Sequence, residues 1–225
     1  MAILSKYSLE KYNSLLLPEI ANNELKNKNA EFDELIKNIT PIIKKNKIEL
    51  GLRLLHGHNI PLKGEQAMVE KFDYFQEEPA LITSADSPNA SYPASWILSD
   101  DQYWVFEYSS DPYVKKVYER LEDSSVLDEI SAQIRKYKLD SLIGPCITAR
   151  ETLNKFDMSE GKSFVEHTIK IEDKFVNIVR SRPNDESATN GIKTIWGVKI
   201  NDSCITNIPC FCCINDNDNK RRHFV

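Results

Sequence analysis

Ile48-Glu49-Leu50-Gly51-Leu52-Arg53-Leu54-Leu55-His56-Gly57-His58 is the stretch on which the fold turns. Ile48, Leu50, Leu52 and Leu54 share one parity, and Glu49, Gly51 and Arg53 take the other. Successive side chains of an extended chain point to opposite faces, so the stretch predicts a strand with one side in the core. Asn59-Ile60-Pro61 is expected to stop it, because proline cannot donate to a ladder.

Upstream the period is helical. Phe32, Leu35, Ile36, Ile39 and Ile43 recur at helix spacing, in a segment that Pro41 is expected to end or kink. Asn22 to Asn29 is polar and reads as a loop or frayed start, which makes residues 1–47 an N-terminal helical segment.

Downstream, strands are expected at Ala67–Phe72, Ala80–Ser84 and Gln102–Ser109, the last with Trp104, Phe106 and Tyr108 on one face. Asp86–Ser95, with Pro88 and Pro93, reads as a loop. Asp111-Pro112 offers an N-cap followed by proline at the first helical position, with Val114, Val117, Tyr118 and Leu121 turned inward. A second helix opens near Ser124 or Ser125 and buries Leu127, Ile130, Ile134 and Tyr137.

The last third reads as an antiparallel meander of Ser141–Ala149, Ser163–Ile171, Lys174–Arg180, Ile192–Ile200 and Ser203–Ile214. Turns at Glu172-Asp173 and Asn201-Asp202 join two of the pairs, Arg182–Gly191 is a long polar loop, and residues 215–225 form a polar tail. The order of elements predicts one α+β domain over residues 1–225. Its sheet is largely antiparallel, with helices packed on one face.

Composition narrows the partners. A chain of 225 residues, 41% hydrophobic and 28% charged, has the balance of a globular protein. Its net charge of −5 argues against nucleic acid, which requires phosphate neutralisation over a broad face. The one concentrated basic patch, Lys220-Arg221-Arg222, reads as part of a solvated tail. No apolar run approaches the ~18 residues of a membrane span, and MAILSKYSLEKY lacks the apolar core of a secretory signal. A soluble protein of the cytoplasm is therefore expected, with five reduced cysteines. The sequons at Asn38, Asn89 and Asn201 are then chance matches.

Four places carry residues able to do chemistry. His56 and His58 have the parity of Leu54, and His167 shares parity with Val165, Ile169 and Ile171, so all three are expected to face inward. Same-face imidazoles two residues apart lie about 7 Å from each other, a spacing that can hold one metal. With His167 as third ligand, zinc or another divalent metal would keep an open position for water or substrate. One histidine acting as acid or base without metal is a second use, and three separately hydrogen-bonded core histidines a third.

Cys204, Cys210, Cys212 and Cys213, near His223, resemble zinc ligands in number but lack paired C-x-x-C spacing, so buried packing and a metal site both stay open. Cys146 is a candidate nucleophile. Gly161-Lys162-Ser163 has the end of a phosphate loop, but Phe156 stands where its first glycine belongs. The His-x-His step also fails two known patterns. Glu65 comes too late for a cupin, and Asn59-Ile60 replaces the Asp-His of a metallo-β-lactamase.

Gly51–His58, Gly64–Val69 and Cys204–His223 together resemble a family of uncharacterised, mainly fungal proteins. In that family a GLxLLHxH strand is followed by a GExMV segment and later by a Cys-rich stretch ending in histidine. Trp104–Tyr108 and Leu142–Cys146 are similar in style, and Gly57 stands where a larger residue often sits. The resemblance implies no activity. Two functional classes follow from the residues themselves. One is a small metal-dependent or histidine acid–base enzyme built on His56, His58 and His167, with a carboxylate such as Glu65. The other is a non-catalytic binding module presenting the Asp86–Ser95 and Arg182–Gly191 loops to a small molecule or protein.

Overall fold

The alternation around Leu52 makes the expected strand. In β1 (Leu50–Leu54), Leu50, Leu52 and Leu54 are fully buried in the main core. β1 lies between β6 (Ile143–Ile147) and β9 (Ile195–Gly197), antiparallel to both. Gly51 permits that close pairing, because a Cβ there would sit 2.2 Å from the Trp196 carbonyl oxygen and 2.5 Å from Thr148 Cγ2. The computed structural model describes residues 4–57, 62–75, 77–148, 150, 162–171, 174–183, 194–197, 211–214 and 221–224.

The other strands are β2 (Ala67–Phe75), β3 (Glu78–Asp86), β4 (Tyr92–Ser99), β5 (Gln102–Ser109), β7 (Lys162–Ile171), β8 (Lys174–Pro183), β10 (Phe211–Ile214) and β11 (Arg221–Phe224). Among the described residues they form one sheet in the order β10-β11-β7-β8-β3-β2-β5-β4-β6-β1-β9. β2 pairs in parallel with β5, and the other described pairings are antiparallel.

Four expectations are corrected here. The last third is not a meander in chain order: β6 and β9 flank β1 at one end of the sheet, whereas β7, β8, β10 and β11 lie at the other. So β9 and β10, expected to join through a turn at Asn201-Asp202, are not paired among the described residues. The loop expected over Asp86–Ser95 is shorter: β3 runs through Asp86 and β4 starts at Tyr92, which leaves only residues 87–91 between them. Pro93 is accommodated where the β4–β5 register slips, with one extra residue on β4 before Ser95↔Glu107 and one on β5 after it. Residues 215–225 are not simply a tail, since β11 takes Arg221–Phe224 into the sheet between β10 and β7. Trp104, Phe106 and Tyr108 do not share one environment. Trp104 and Phe106 belong to a second, smaller cluster and Tyr108 to the main core, because the slip at Phe106 breaks the alternation.

The helices are α1 (Leu9–Asn13), α2 (Pro18–Lys26), α3 (Asn29–Asn46), α4 (Pro112–Glu122) and α5 (Val126–Lys136). Asp111 caps α4 as expected, its Oδ1 accepting from the Tyr113 amide at 2.8 Å. At α5 it is the Ser124 hydroxyl that accepts from the Val126 amide, at 3.1 Å. The polar run from Asn22 is α2 rather than a loop, because Pro18, Ala21 and Leu25 recur on one face and are buried.

α3 passes through Pro41 without ending. The missing amide leaves the Lys37 carbonyl without its helical partner, but Lys37 and Pro41 are both exposed, so water can serve it. On the opposite side Leu35, Ile39 and Ile43 are fully buried and hold the helix down.

α2 to α5 supply the main core against Leu50, Leu52, Leu54, Trp96, Val105 and Ile143. α1 is the exception to helices on one face. Its Tyr12 packs with Leu55, Met68, Ile97 and Phe106 in the smaller cluster, stacking on Phe106 at 5.8 Å between centroids.

The chain before α1 is tied across the sheet as an arm. Val105 N–H donates to the Lys6 carbonyl at 2.7 Å, and Trp96 Nε1 to the Leu4 carbonyl at 2.7 Å. Among the described residues no helix is long and apolar enough to cross a membrane.

Candidate functional site

β1 ends at Leu54, and the alternation ends with it. His56 is fully buried, but its ring meets the edge of Phe106 at 6.1 Å, in the smaller cluster, rather than following Leu54 into the main core. Its Nδ1 lies 2.8 Å from the Leu54 carbonyl oxygen. A carbonyl only accepts, so Nδ1 carries the proton, and Nε2 is the nitrogen left to donate an electron pair when the ring holds a single proton. Gly57 N–H donates to the Leu16 carbonyl at 2.8 Å, which ties the histidine step to the segment after α1. A Cβ on Gly57 would stand 3.3 Å from the Leu15 carbonyl, a contact a larger residue reaches after a small shift.

His58 lies outside the described residues. The backbone of His167 is on β7, opposite Ile178 of β8 and Arg222 of β11. Six strands stand between β7 and β1 in the sheet, so pairing does not make His56 and His167 neighbours. Cys204 and Cys210 lie outside the described residues, and the backbones of Cys212 and Cys213 are on β10, with Cys212 opposite His223. Among the described residues no group of three histidine, cysteine, aspartate or glutamate side chains is arranged to hold a metal.

Around Cys146 the sheet buries a network of charges that composition and spacing had not pointed to. Arg53 Nη2 meets Glu107 Oε1 at 2.9 Å and Nη1 donates to Thr194 Oγ1 at 3.3 Å. Ser95 Oγ donates to Glu107 Oε2 at 3.4 Å. Nearby, Arg150 Nε meets Glu70 Oε1 at 2.6 Å, and Ser109 Oγ donates to the same oxygen at 2.8 Å.

Burial pushes the Cys146 thiol up to about 12, although Arg53 and Arg150 pull it down. The thiolate is the nucleophile, so this cysteine is held in its inert form. Burial works against the Arg150 charge too, but Glu70 outweighs it and the guanidinium stays firmly protonated. The signal in the sequence was Arg53 and Glu107 at strand positions whose neighbours are apolar. Nothing local indicates that the two would meet.

A cleft of about 510 Å³ opens beside the histidine step, between the segment after α1, the β4–β5 turn and the α5–β6 connection. Leu15, Ile97, Leu98 and Leu142 give it an apolar floor, while Lys11, Glu24, Lys28, Asp100 and Asp140 bring charge to it. His56 is next door: Leu55 N–H donates to the Leu142 carbonyl at 2.8 Å, and Ile97 and Leu15 pack in the cluster that contains Phe106.

The β4–β5 turn is held in a left-handed conformation, with φ 54° at both Asp100 and Asp101. Lys11 Nζ clamps it, bonding Asp100 Oδ2 at 2.7 Å and Ser99 Oγ at 2.8 Å. That contact holds the Asp100 carboxyl below its usual range. These residues span positions 11 to 142, so no short motif announces them.

No family model, curated protein or solved structure matches this chain.

Proposed function

We propose that the chain is a non-catalytic binding module whose ligand is a small organic molecule seated in the cleft beside Leu98 and Leu142. The supporting observation is the cleft itself. Its volume of about 510 Å³ and its apolar floor with charged groups at intervals are what ligand sites offer. The other concentration of polar groups, around Cys146, is buried with its charges paired and its thiol protonated, which suits structure better than catalysis. A cytoplasmic setting, without a nucleic-acid partner, belongs to the same proposal and agrees with the free thiol of Cys146 and the net charge of −5.

The test is a ligand-observed NMR screen of a fragment library on the wild-type protein and on Ser141→Trp. Ser141 is exposed and lines the cleft, so an indole there fills it without entering the core. Hits that bind wild type and are lost in the variant, with unfolding unchanged, are the expected result. Hits that bind both proteins equally would refute the assignment.

One observation favours a second function, a metal-dependent enzyme using His56, His58 and His167 with zinc or another divalent ion. The Leu54 carbonyl fixes His56 with Nε2 as the donor, the arrangement that orients metal-binding imidazoles. Zinc added to chelator-treated protein should then raise the unfolding temperature, and His58→Ala should abolish the rise. Absence of any rise in the parent protein sinks this function.

A further inference from the structure

Building on the binding function proposed above, we infer that the cleft selects an organic monocation with an apolar body, such as an alkyl or aryl amine. Charge bookkeeping over the lining residues carries the inference. Three carboxylates, Glu24, Asp100 and Asp140, face two ammonium groups, Lys11 and Lys28, which leaves one negative charge in excess.

Both lysines are already engaged. Lys11 is held by Asp100 and Ser99, and Lys28 Nζ donates to the Lys138 carbonyl at 3.0 Å. The Glu24 and Asp140 carboxylates make no hydrogen bond or ion pair among the described residues. An anionic ligand would have to compete with Asp100 for Lys11 and would add charge of the sign already in excess. A monocation needs no such rearrangement and balances the lining.

The apolar body is accommodated by the floor, and by Leu16, which is 40% exposed where the cleft meets solvent. Leu17 and Ile20 follow it, also exposed, so apolar surface continues beyond the mouth. A chain of several methylene groups can therefore lie along the floor with its ammonium near Glu24 and Asp140.

Three probes of matched length separate charge from apolar contact: hexylammonium chloride, hexanol and sodium hexanoate. Each is titrated at low salt into the isotopically labelled full chain, with amide shifts and calorimetry as readouts. Hexylammonium is expected to bind at least about tenfold tighter than hexanol, a difference of about 1.4 kcal/mol, with hexanoate weakest. Its shifts should fall on Ile97–Asp100 and Asp140–Leu142.

Asp140→Asn and Glu24→Gln should each weaken hexylammonium several-fold and leave hexanol unchanged. Added salt should weaken the amine alone, because it screens exposed charges. Hexanol or hexanoate binding in the cleft as tightly as the amine would overturn the monocation while leaving the binding function standing. No shift in the cleft with any of the three probes would overturn the monocation. The fragment screen with Ser141→Trp then decides the binding function separately.

Discussion

Arg53→Met is the most informative single change in this protein. The Arg53 and Glu107 side chains are only 8% and 13% exposed, and they meet at 2.9 Å in the sheet interior. Methionine keeps most of the arginine stem but removes the guanidinium, which leaves the Glu107 carboxylate in a mostly dry site. A pair of unit charges about 4 Å apart is worth roughly 4 kcal/mol at an effective dielectric of about 20. Removing one partner of a buried pair typically costs about 3–5 kcal/mol. For a chain of this length that is a fall in unfolding temperature of roughly 6–20 °C.

Arg53→Met/Glu107→Leu removes both charges and the desolvation they suffer, so it should recover most of the loss and lie within about 1–2 kcal/mol of the parent. The assay is equilibrium urea unfolding of the parent, both single variants and the double variant, read as a double-mutant cycle. A double variant as unstable as the sum of the singles would refute the reasoning, as would a loss below about 1 kcal/mol for Arg53→Met.

Gly144→Ala should cost at least about 3 kcal/mol, because the added Cβ would lie 1.8 Å from the Trp96 carbonyl oxygen and only backbone movement relieves that; denaturant titration measures it, and near-normal stability would contradict the strand spacing. Pro41→Ala should stabilise the protein by about 1–3 kcal/mol, since it restores an amide for the Lys37 carbonyl inside an intact helix. A loss of stability instead would mean that the proline helps shape α3.

Burial lifts the Tyr7 and Tyr108 phenols from 10.0 to about 12, and the Cys146 thiol from 9.0 to about 12. The folded chain therefore keeps protons that the unfolded chain releases, and stability should fall as pH rises from about 9 towards 12. The Tyr7 hydroxyl is buried with no hydrogen-bond partner among the described residues. Tyr7→Phe should thus be nearly neutral at pH 7 and should shallow the alkaline decline; an unchanged slope counts against the shift.

What the sequence determined by itself is local. Alternation of Leu50, Leu52 and Leu54 specified a strand and the side it turns to the main core, because an extended backbone turns successive side chains through half a revolution whatever surrounds it. It did not specify that the Gly51 and Arg53 side is buried as well. Asp111-Pro112 specified where α4 begins, since cap and proline act within one turn. The class, an α+β chain with a largely antiparallel sheet, followed from the order of such elements.

Tertiary structure decided the rest. Pro41 sits inside a helix because Leu35, Ile39 and Ile43 bury the far side, an energy that propensity does not contain. His56 leaves the parity of Leu54 because the strand has already ended, so the ring packs where Phe106 offers an edge. Phe106 and Glu107 change partners through a register slip that depends on β4, not on β5 alone.

Arg53 meets Glu107 across 54 positions of sequence, and the cleft draws residues from the first helix to the start of β6. Such meetings depend on the order of strands in the sheet. Long-range pairing sets that order, and no short window of residues encodes it.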